Sequence, residues 1–277
     1  MKLRIATCRE LPELDVDAAP LAEAFARAGI EAPLVAWDDP DADWSAPIPT
    51  LLRSTWNYAH AVDDFLAWID RVAMVAPLWN PPGIVHGNVH KRYLLELAAR
   101  GVPVIPTTLV EWGKVELPAQ PGRFVIKPEV GAGSLNTRVF SGEAERAAAT
   151  AHLASITLRG AALVQPYVAS VEDYGERSLV WIDGELSHAI RKAPRFLGDS
   201  EQITGPFPIA DDERAVAELA LAPLASQILY GRVDLARSAE GQPMIMELEL
   251  VEPSLFLARK PGAADRLVAR LARELRA

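Results

Sequence analysis

The 277-residue chain has a single cysteine, Cys8, so no internal disulfide can form and a reducing compartment suits it. It has no apolar run of membrane-spanning length, and its opening residues, MKLRIATCRELPELD, lack the apolar core of a signal peptide. A soluble, cytoplasmic protein is expected. Cations are scarce: 28 Lys and Arg stand against 37 Asp and Glu, a net charge of −9. Nucleic acids and anionic membranes reward clustered Lys and Arg, so neither is the expected partner. Two phosphate-binding signatures are missing as well, the Gly-Lys-Ser/Thr of a P-loop and the GxGxxG of a dinucleotide fold. No Ser-His-Asp or Cys-His nucleophile is evident. Cys8 ends an apolar segment and reads as a small buried hydrophobe. His86 and His90 are four apart, but Gly87 and the preceding Pro81-Pro82-Gly83 argue against a zinc-binding helix face. The seven Trp residues are scattered rather than interleaved with Lys and Arg, which suits core or pocket packing.

Half of the residues are apolar, enough for a sizeable core, and the length suggests more than one structural unit. Residues 3–8 read as a strand, 17–28 as a helix stopped by Gly29, 32–37 and 48–55 as strands, and 62–73 as an amphipathic helix. This is an open α/β unit. Asn80-Pro81-Pro82-Gly83 breaks the pattern, and a helix over 88–100 ends at Gly101, followed by an extended segment. Beyond Arg123 come a strand (FVIKP), a glycine loop, a second strand (TRVF), a helix over 143–155 and a strand over 162–168. Asp183-Gly184 between apolar runs marks a hairpin. Residues 211–229 read as helix, 231–250 as a second hairpin around Glu240-Gly241, and 263–276 as a closing helix.

The second hairpin is the most informative segment. Alternation puts Arg232 and Asp234 on one face, and Glu247 and Glu249 share a face of the returning strand. A turn centred on Glu240-Gly241 pairs Asp234 with Glu247 and Arg232 with Glu249. Like charges directly opposite each other destabilise a ladder, so this register calls for a cation between the carboxylates. Hard oxygen donors suit Mg²⁺. A solvated hairpin face of alternating charge would look the same. Lys127 closes a strand just before Gly131-Ala132-Gly133-Ser134, where backbone N–H groups could approach phosphate oxygens beside a compact positive charge.

Together these residues resemble the ATP-grasp superfamily. The resemblance covers about residues 85–260 and implies an α/β (α+β) architecture, with an N-terminal open α/β domain and two α+β subdomains enclosing ATP. It implies a substrate-side domain over 1–84, a linker helix and strand over 85–122, a lid subdomain over 123–190 and a metal-binding C-terminal subdomain over 191–277. Lys91, Lys127, Gly131, Gly133 and Ser134 would then contact the nucleotide. Gln165-Pro166-Tyr167-Val168 would form the adenine hinge, with Glu172 or Glu176 at the ribose. Asp234, Glu247 and Glu249 would hold Mg²⁺ or Mn²⁺. The family's metal signature has Glu-x-Asn thirteen positions after the Asp; Asp234 to Glu247 keeps that spacing, and Glu249 replaces the Asn. Arg232, with Arg191 and Lys192, would serve the transferring phosphoryl group.

A narrower likeness lies in Leu52-Arg53-Ser54-Thr55-Trp56-Asn57-Tyr58, Trp79-Asn80-Pro81-Pro82, His90-Lys91-Arg92-Tyr93-Leu94 and Glu252-Pro253-Ser254-Leu255. These are similar to the branch containing cycloserine synthetase, the O-ureido-serine cyclo-ligase. Arg53-Ser54-Thr55, at a strand end of an open α/β unit, and Ser254 are the expected substrate residues. The implied partner is a small amino-acid-like substrate; a homodimer is left open. An intermolecular amino-acid ligase and a non-catalytic nucleotide-binding subunit are the alternatives.

Overall fold

The computed structural model describes residues 1–131, 133, 135–193 and 202–276, so Ser134 of the expected nucleotide loop lies outside the described residues. The N-terminal unit is a parallel sheet of β1 (Arg4–Thr7), β2 (Leu34–Ala36), β3 (Thr50–Leu52) and β4 (Leu78–Trp79), in the order β2-β1-β3-β4. Parallel neighbours require crossover connections, two of which carry α1 (Ala18–Arg27) and α2 (Val62–Val75). The apolar stripes of these helices supply Leu21, Ala24 and Phe25 and then Phe65, Trp68, Ile69 and Val72 to the core.

The expected break at 80–83 runs directly into a helix, α3 (Pro82–Asn88), and the helix expected over 88–100 is shorter, α4 (Tyr93–Ala99). Pro82 opens α3 rather than ending a segment, because a first-turn residue has no use for its missing N–H. A second sheet, antiparallel, joins β5 (Thr108–Val110), β6 (Arg123–Pro128), β7 (Arg138–Ser141) and β8 (Ala162–Pro166) in the order β5-β8-β6-β7. Helix α5 (Arg146–Thr157) covers it through Leu153 and Ile156, packed with Phe124, Ile126, Phe140 and Val164.

After the short α6 (Ser170–Asp173), five strands form the largest sheet: β9 (Glu176–Ile182), β10 (Glu185–Lys192), β11 (Ile203–Phe207), β12 (Tyr230–Arg237) and β13 (Pro243–Glu249). Their order is β11-β10-β9-β12-β13, antiparallel throughout. Asp183 and Gly184 form the β9–β10 turn with φ of +46° and +89°, the left-handed pair that a two-residue hairpin demands. The boundary expected at 190/191 falls inside β10, and the sheet unites residues 176–192 with 230–249. Local hairpin signals say nothing about which hairpins then pair with each other. The helix expected over 211–229 stops earlier, as α7 (Asp211–Leu221), and α8 (Ala263–Glu274) packs Leu267, Val268 and Leu271 against Leu3, Leu21 and Phe25. No helix among the described residues is long and apolar enough to cross a membrane.

Buried polar side chains fix the N-terminal sheet to the large one. Asn80 Nδ2 donates to the carbonyls of Tyr230 (2.9 Å) and Leu250 (2.7 Å), and its Oδ1 accepts from Leu229 N (2.8 Å). The Tyr230 hydroxyl lies 2.9–3.0 Å from the carbonyls of Leu52, Trp79 and Val251. Buried polar atoms must be satisfied, so these bonds set the two sheets in one relation.

Candidate active site

The sheets converge on a cavity of about 810 Å³, within the size range of small-molecule sites. The second sheet contributes Val125, Lys127 and the hinge Gln165, Pro166, Tyr167 and Val168. The large sheet contributes Glu176, Lys192, Arg232, Asp234, Glu247 and Glu249. The N-terminal side contributes the 10–13 loop and residues 56–60, with Glu252, Ser254 and Phe256 closing the wall.

The β12–β13 register is the expected one at the site: Arg232 faces Glu249 and Asp234 faces Glu247. It is reached differently. A bulge after Asp234 shifts the pairing by one residue, so Leu235 faces Ile245 and the turn centres on Glu240. The cations required between the opposed carboxylates are supplied by the protein itself. Asp234, 1% exposed, receives Arg232 Nε at 2.8 Å and Nη2 at 2.9 Å, and Lys192 Nζ at 3.0 Å. Burial alone would raise the pKa of Asp234, but Arg232 and Lys192 hold it far below the usual carboxylate range. Arg232 also pairs with Glu249, and Lys192 with Glu176. Glu247 binds Lys91 Nζ at 2.9 Å, and Lys91 donates to the Gly131 carbonyl at 2.6 Å. Against its burial, Lys91 and Lys127 lower the pKa of Glu247. Burial, reinforced by Asp234, pushes both Glu176 and Glu249 up to about 8 in spite of their cationic partners.

Lys127 is different. It is 9% exposed, lines the cavity and has no hydrogen bond or ion pair among the described residues. Burial lowers its pKa. An unpaired buried ammonium facing a cavity is matched by an anionic ligand there. The described lining also carries seven carboxylates (Glu10, Glu13, Glu176, Asp234, Glu247, Glu249, Glu252) against four cations (Lys91, Lys127, Lys192, Arg232). Divalent cations would neutralise a polyphosphate placed against this wall. Hard carboxylate oxygens are the donors Mg²⁺ prefers, and Mg²⁺ typically uses few of them, completing its shell with phosphates and water. No three His, Cys, Asp or Glu side chains converge as a ready-made metal centre among the described residues, so the expected set of Asp234, Glu247 and Glu249 is not assembled as one. The residues present fit a metal–nucleotide complex.

Several expected site residues lie elsewhere. Arg53, Ser54 and Thr55 are at most 2% exposed and sit behind the cavity wall. Arg53 Nη2 donates to Asp17 Oδ2 (3.0 Å) and the Pro253 carbonyl (2.7 Å), and Ser54 Oγ bonds Thr7 Oγ1 (2.9 Å). The strand end turns inward here, so its polar groups clamp the fold and residues 56–60 face the cavity instead. Arg191 is exposed, with its guanidinium 5.8 Å above the Phe207 ring; strand alternation gives the inward face to Lys192. Of the two ribose candidates, Glu176 lines the cavity, whereas Glu172 is bound outside it by Arg123 (2.8 Å) and the Tyr167 hydroxyl (2.7 Å). Ser254 does line the cavity, and its carbonyl accepts from Arg232 Nη1 at 3.0 Å. Sequence reasoning passed over Glu252, although it stands two residues before Ser254 in the same motif.

Solved structures with this arrangement are ATP-grasp enzymes. D-alanine–D-alanine ligase from Bacillus anthracis, complexed with ATP, superposes with a TM-score of 0.68 at 15% identity, over 99% of this chain and 99% of that one. A RimK domain ATP-grasp protein from Sphaerobacter thermophilus gives 0.69 at 17% identity, over 96% and 98%. The fold is therefore ATP-grasp. Residues 3–80 match the family described as the N-terminal domain of D-cycloserine synthetase DcsG. The chain is 37% identical to the cycloserine biosynthesis protein DcsG of Streptomyces lavendulae, over 95% of each. It superposes on the crystal structure of D-cycloserine synthetase DcsG with a TM-score of 0.89 at 35% identity, covering 99% of this chain and all of that one. The chain belongs to the DcsG family of ATP-grasp proteins and is an ATP-dependent ligase.

Proposed function

We propose that the enzyme closes O-ureido-serine to cycloserine, with ATP converted to ADP and phosphate. The observation that carries the nucleotide half of this reading is Lys127, a buried cation with no hydrogen bond or ion pair among the described residues, in an acid-rich cavity. The substrate half is supported by the 37% identity to the cycloserine biosynthesis protein over nearly the whole chain.

A carboxylate is a poor acyl donor because its leaving group would be oxide. Its oxygen attacks the γ-phosphorus, ADP leaves, and the product is an acyl phosphate. The ureido nitrogen bonded to oxygen then attacks the acyl carbon, phosphate departs, and the ring closes. That nitrogen still carries the carbamoyl group, which water removes as carbon dioxide and ammonia. Phosphoryl transfer needs positioning and charge neutralisation more than covalent help. Backbone groups of Gln165–Val168 take adenine, Glu176 takes ribose, and Lys91, Lys127, Gly131 and Gly133 take the phosphates. Asp234, Glu247 and Glu249 would hold Mg²⁺ (or Mn²⁺), which would supply the charge that neutralises the polyphosphate. Arg232 and Lys192 face the transferring phosphoryl group and hold Asp234 ionised.

Lys127→Ala should weaken ADP binding in Mg²⁺ about tenfold or more, the ordinary scale of one charge-assisted bond to phosphate. Unchanged affinity in calorimetry would show that Lys127 does not meet the nucleotide. Given alone, O-ureido-serine should stimulate ADP release, since nucleophile and carboxylate belong to one molecule and the attack gains from proximity. A requirement for a second amino acid would instead make the enzyme an intermolecular ligase.

A further inference from the structure

The cavity-lining carboxylates are not equivalent. Glu176, Asp234, Glu247 and Glu249 each hold a Lys or Arg. Glu252 is 7% exposed and lines the same cavity, yet its carboxylate has no Lys or Arg partner among the described residues. Lys91 acts on it through space but makes its ion pair with Glu247. A carboxylate this buried is costly unless a cation or donors meet it, and the open side of Glu252 is the cavity.

Its backbone is held rigidly. The Glu252 carbonyl accepts from Trp56 Nε1 (3.0 Å), the Pro253 carbonyl from Arg53 Nη2 (2.7 Å), and the Ser254 carbonyl from Arg232 Nη1 (3.0 Å). Asp17 then accepts from the backbone N–H groups of Leu255 (2.5 Å) and Leu257 (2.8 Å). A segment pinned by five hydrogen bonds over residues 252–257 presents its one acidic side chain in a fixed place, which is how a specificity group is pre-organised. Two residues of the N-terminal unit adjoin Glu252 in the cavity lining: Trp56, through its bond to the Glu252 carbonyl, and Tyr58, whose pKa is raised by burial first and by the Glu252 charge next.

We propose that Glu252 selects the amino-acid substrate by accepting the hydrogen bonds of its α-ammonium group. The ammonium supplies the ion-pair partner that this buried carboxylate lacks among the described residues, and it leaves the substrate carboxylate free for the phosphoryl group. The inference rests on the amino-acid reading of the function and adds the group that recognises the amine.

The test compares O-ureido-serine with 3-(ureidooxy)propanoate, the same molecule without its amine. Binding is measured by calorimetry in ADP and Mg²⁺, and turnover by ADP release. Wild type should prefer the amine by about 100-fold, the scale of a buried charge-assisted bond. Glu252→Gln should reduce that preference to a few-fold while ADP affinity and Mg²⁺ dependence stay unchanged, and Glu252→Asp should retain part of it. A Gln variant that discriminates like wild type would overturn the proposal. So would one whose main change is in the Mg²⁺ requirement, which would make Glu252 a metal ligand. Wild type that turns over O-ureido-serine but ignores the amine refutes this inference alone. Wild type that neither binds nor turns over either compound refutes the cyclo-ligase reading and this inference with it.

Discussion

Replacing Glu247 by Gln should reduce turnover by about 100-fold or more while the protein remains folded. Two functions are lost together. Glu247 is the partly open carboxylate of the β12–β13 pair, with 26% of its side chain exposed to the cavity, so it is well placed to share a metal with the phosphates. It also orients Lys91, whose Nζ lies 2.9 Å away. A glutamine keeps the shape and an oxygen donor, but it removes the charge that neutralises Mg²⁺ and anchors the lysine. The fold should survive because Lys91 retains the Gly131 carbonyl at 2.6 Å and the neighbouring backbone ladder is untouched. Steady-state ADP release, with circular dichroism as the check on folding, reads both outcomes. Near-normal activity of the variant, or of wild type in excess chelator, would remove the metal from the account.

The second large effect is on stability rather than rate. Arg53→Ala should cost about 3–5 kcal/mol, the range for breaking a buried ion pair. In a chain of this size that is on the order of a 10 °C fall in Tm. Asp17 is fully buried and would lose its only Lys or Arg partner among the described residues, the Nη2 at 3.0 Å. The same guanidinium holds the Pro253 carbonyl and lies 5.2 Å above the Tyr230 ring, so one truncation loosens the seam between the N-terminal sheet and the 252–257 segment. Thermal unfolding followed by circular dichroism measures it. A variant of unchanged Tm whose only defect is a raised KM for the amino acid would restore Arg53 to the substrate pocket and contradict its place here.

The fate of Arg53 shows where sequence reading runs out. A polar Arg-Ser-Thr at a strand end has the pattern of a ligand site, and the same pattern serves a buried clamp. The difference is set by Asp17 and Pro253, which are 36 and 200 residues away in the chain. The charged pattern of the second hairpin was legible because a hairpin is local: alternation and the Asp234–Glu247 spacing placed the four charged residues in their pairs, although a bulge rather than the turn alone sets the register. Long-range strand order was not legible. Nothing in residues 176–192 announces that β9 will pair with β12, and a boundary drawn from local hairpins therefore cut through β10. β4, of two residues, is too short for a periodic signal, and β11 contains Gly205-Pro206, residues that read as a turn rather than a strand. Glu252 leaves no such mark in the sequence, because burial without a Lys or Arg partner among the described residues is a property of the folded molecule alone.

The central claim is that the substrate carboxylate becomes an acyl phosphate, and isotope transfer tests it most directly. O-ureido-serine labelled with ¹⁸O in its carboxylate is incubated with the enzyme, ATP and Mg²⁺, and the inorganic phosphate is analysed by mass spectrometry. The mechanism predicts one ¹⁸O atom per phosphate released, with ADP unlabelled and cycloserine retaining the other carboxylate oxygen in its ring carbonyl. Unlabelled phosphate accompanying cycloserine formation, or label appearing in AMP, would contradict it.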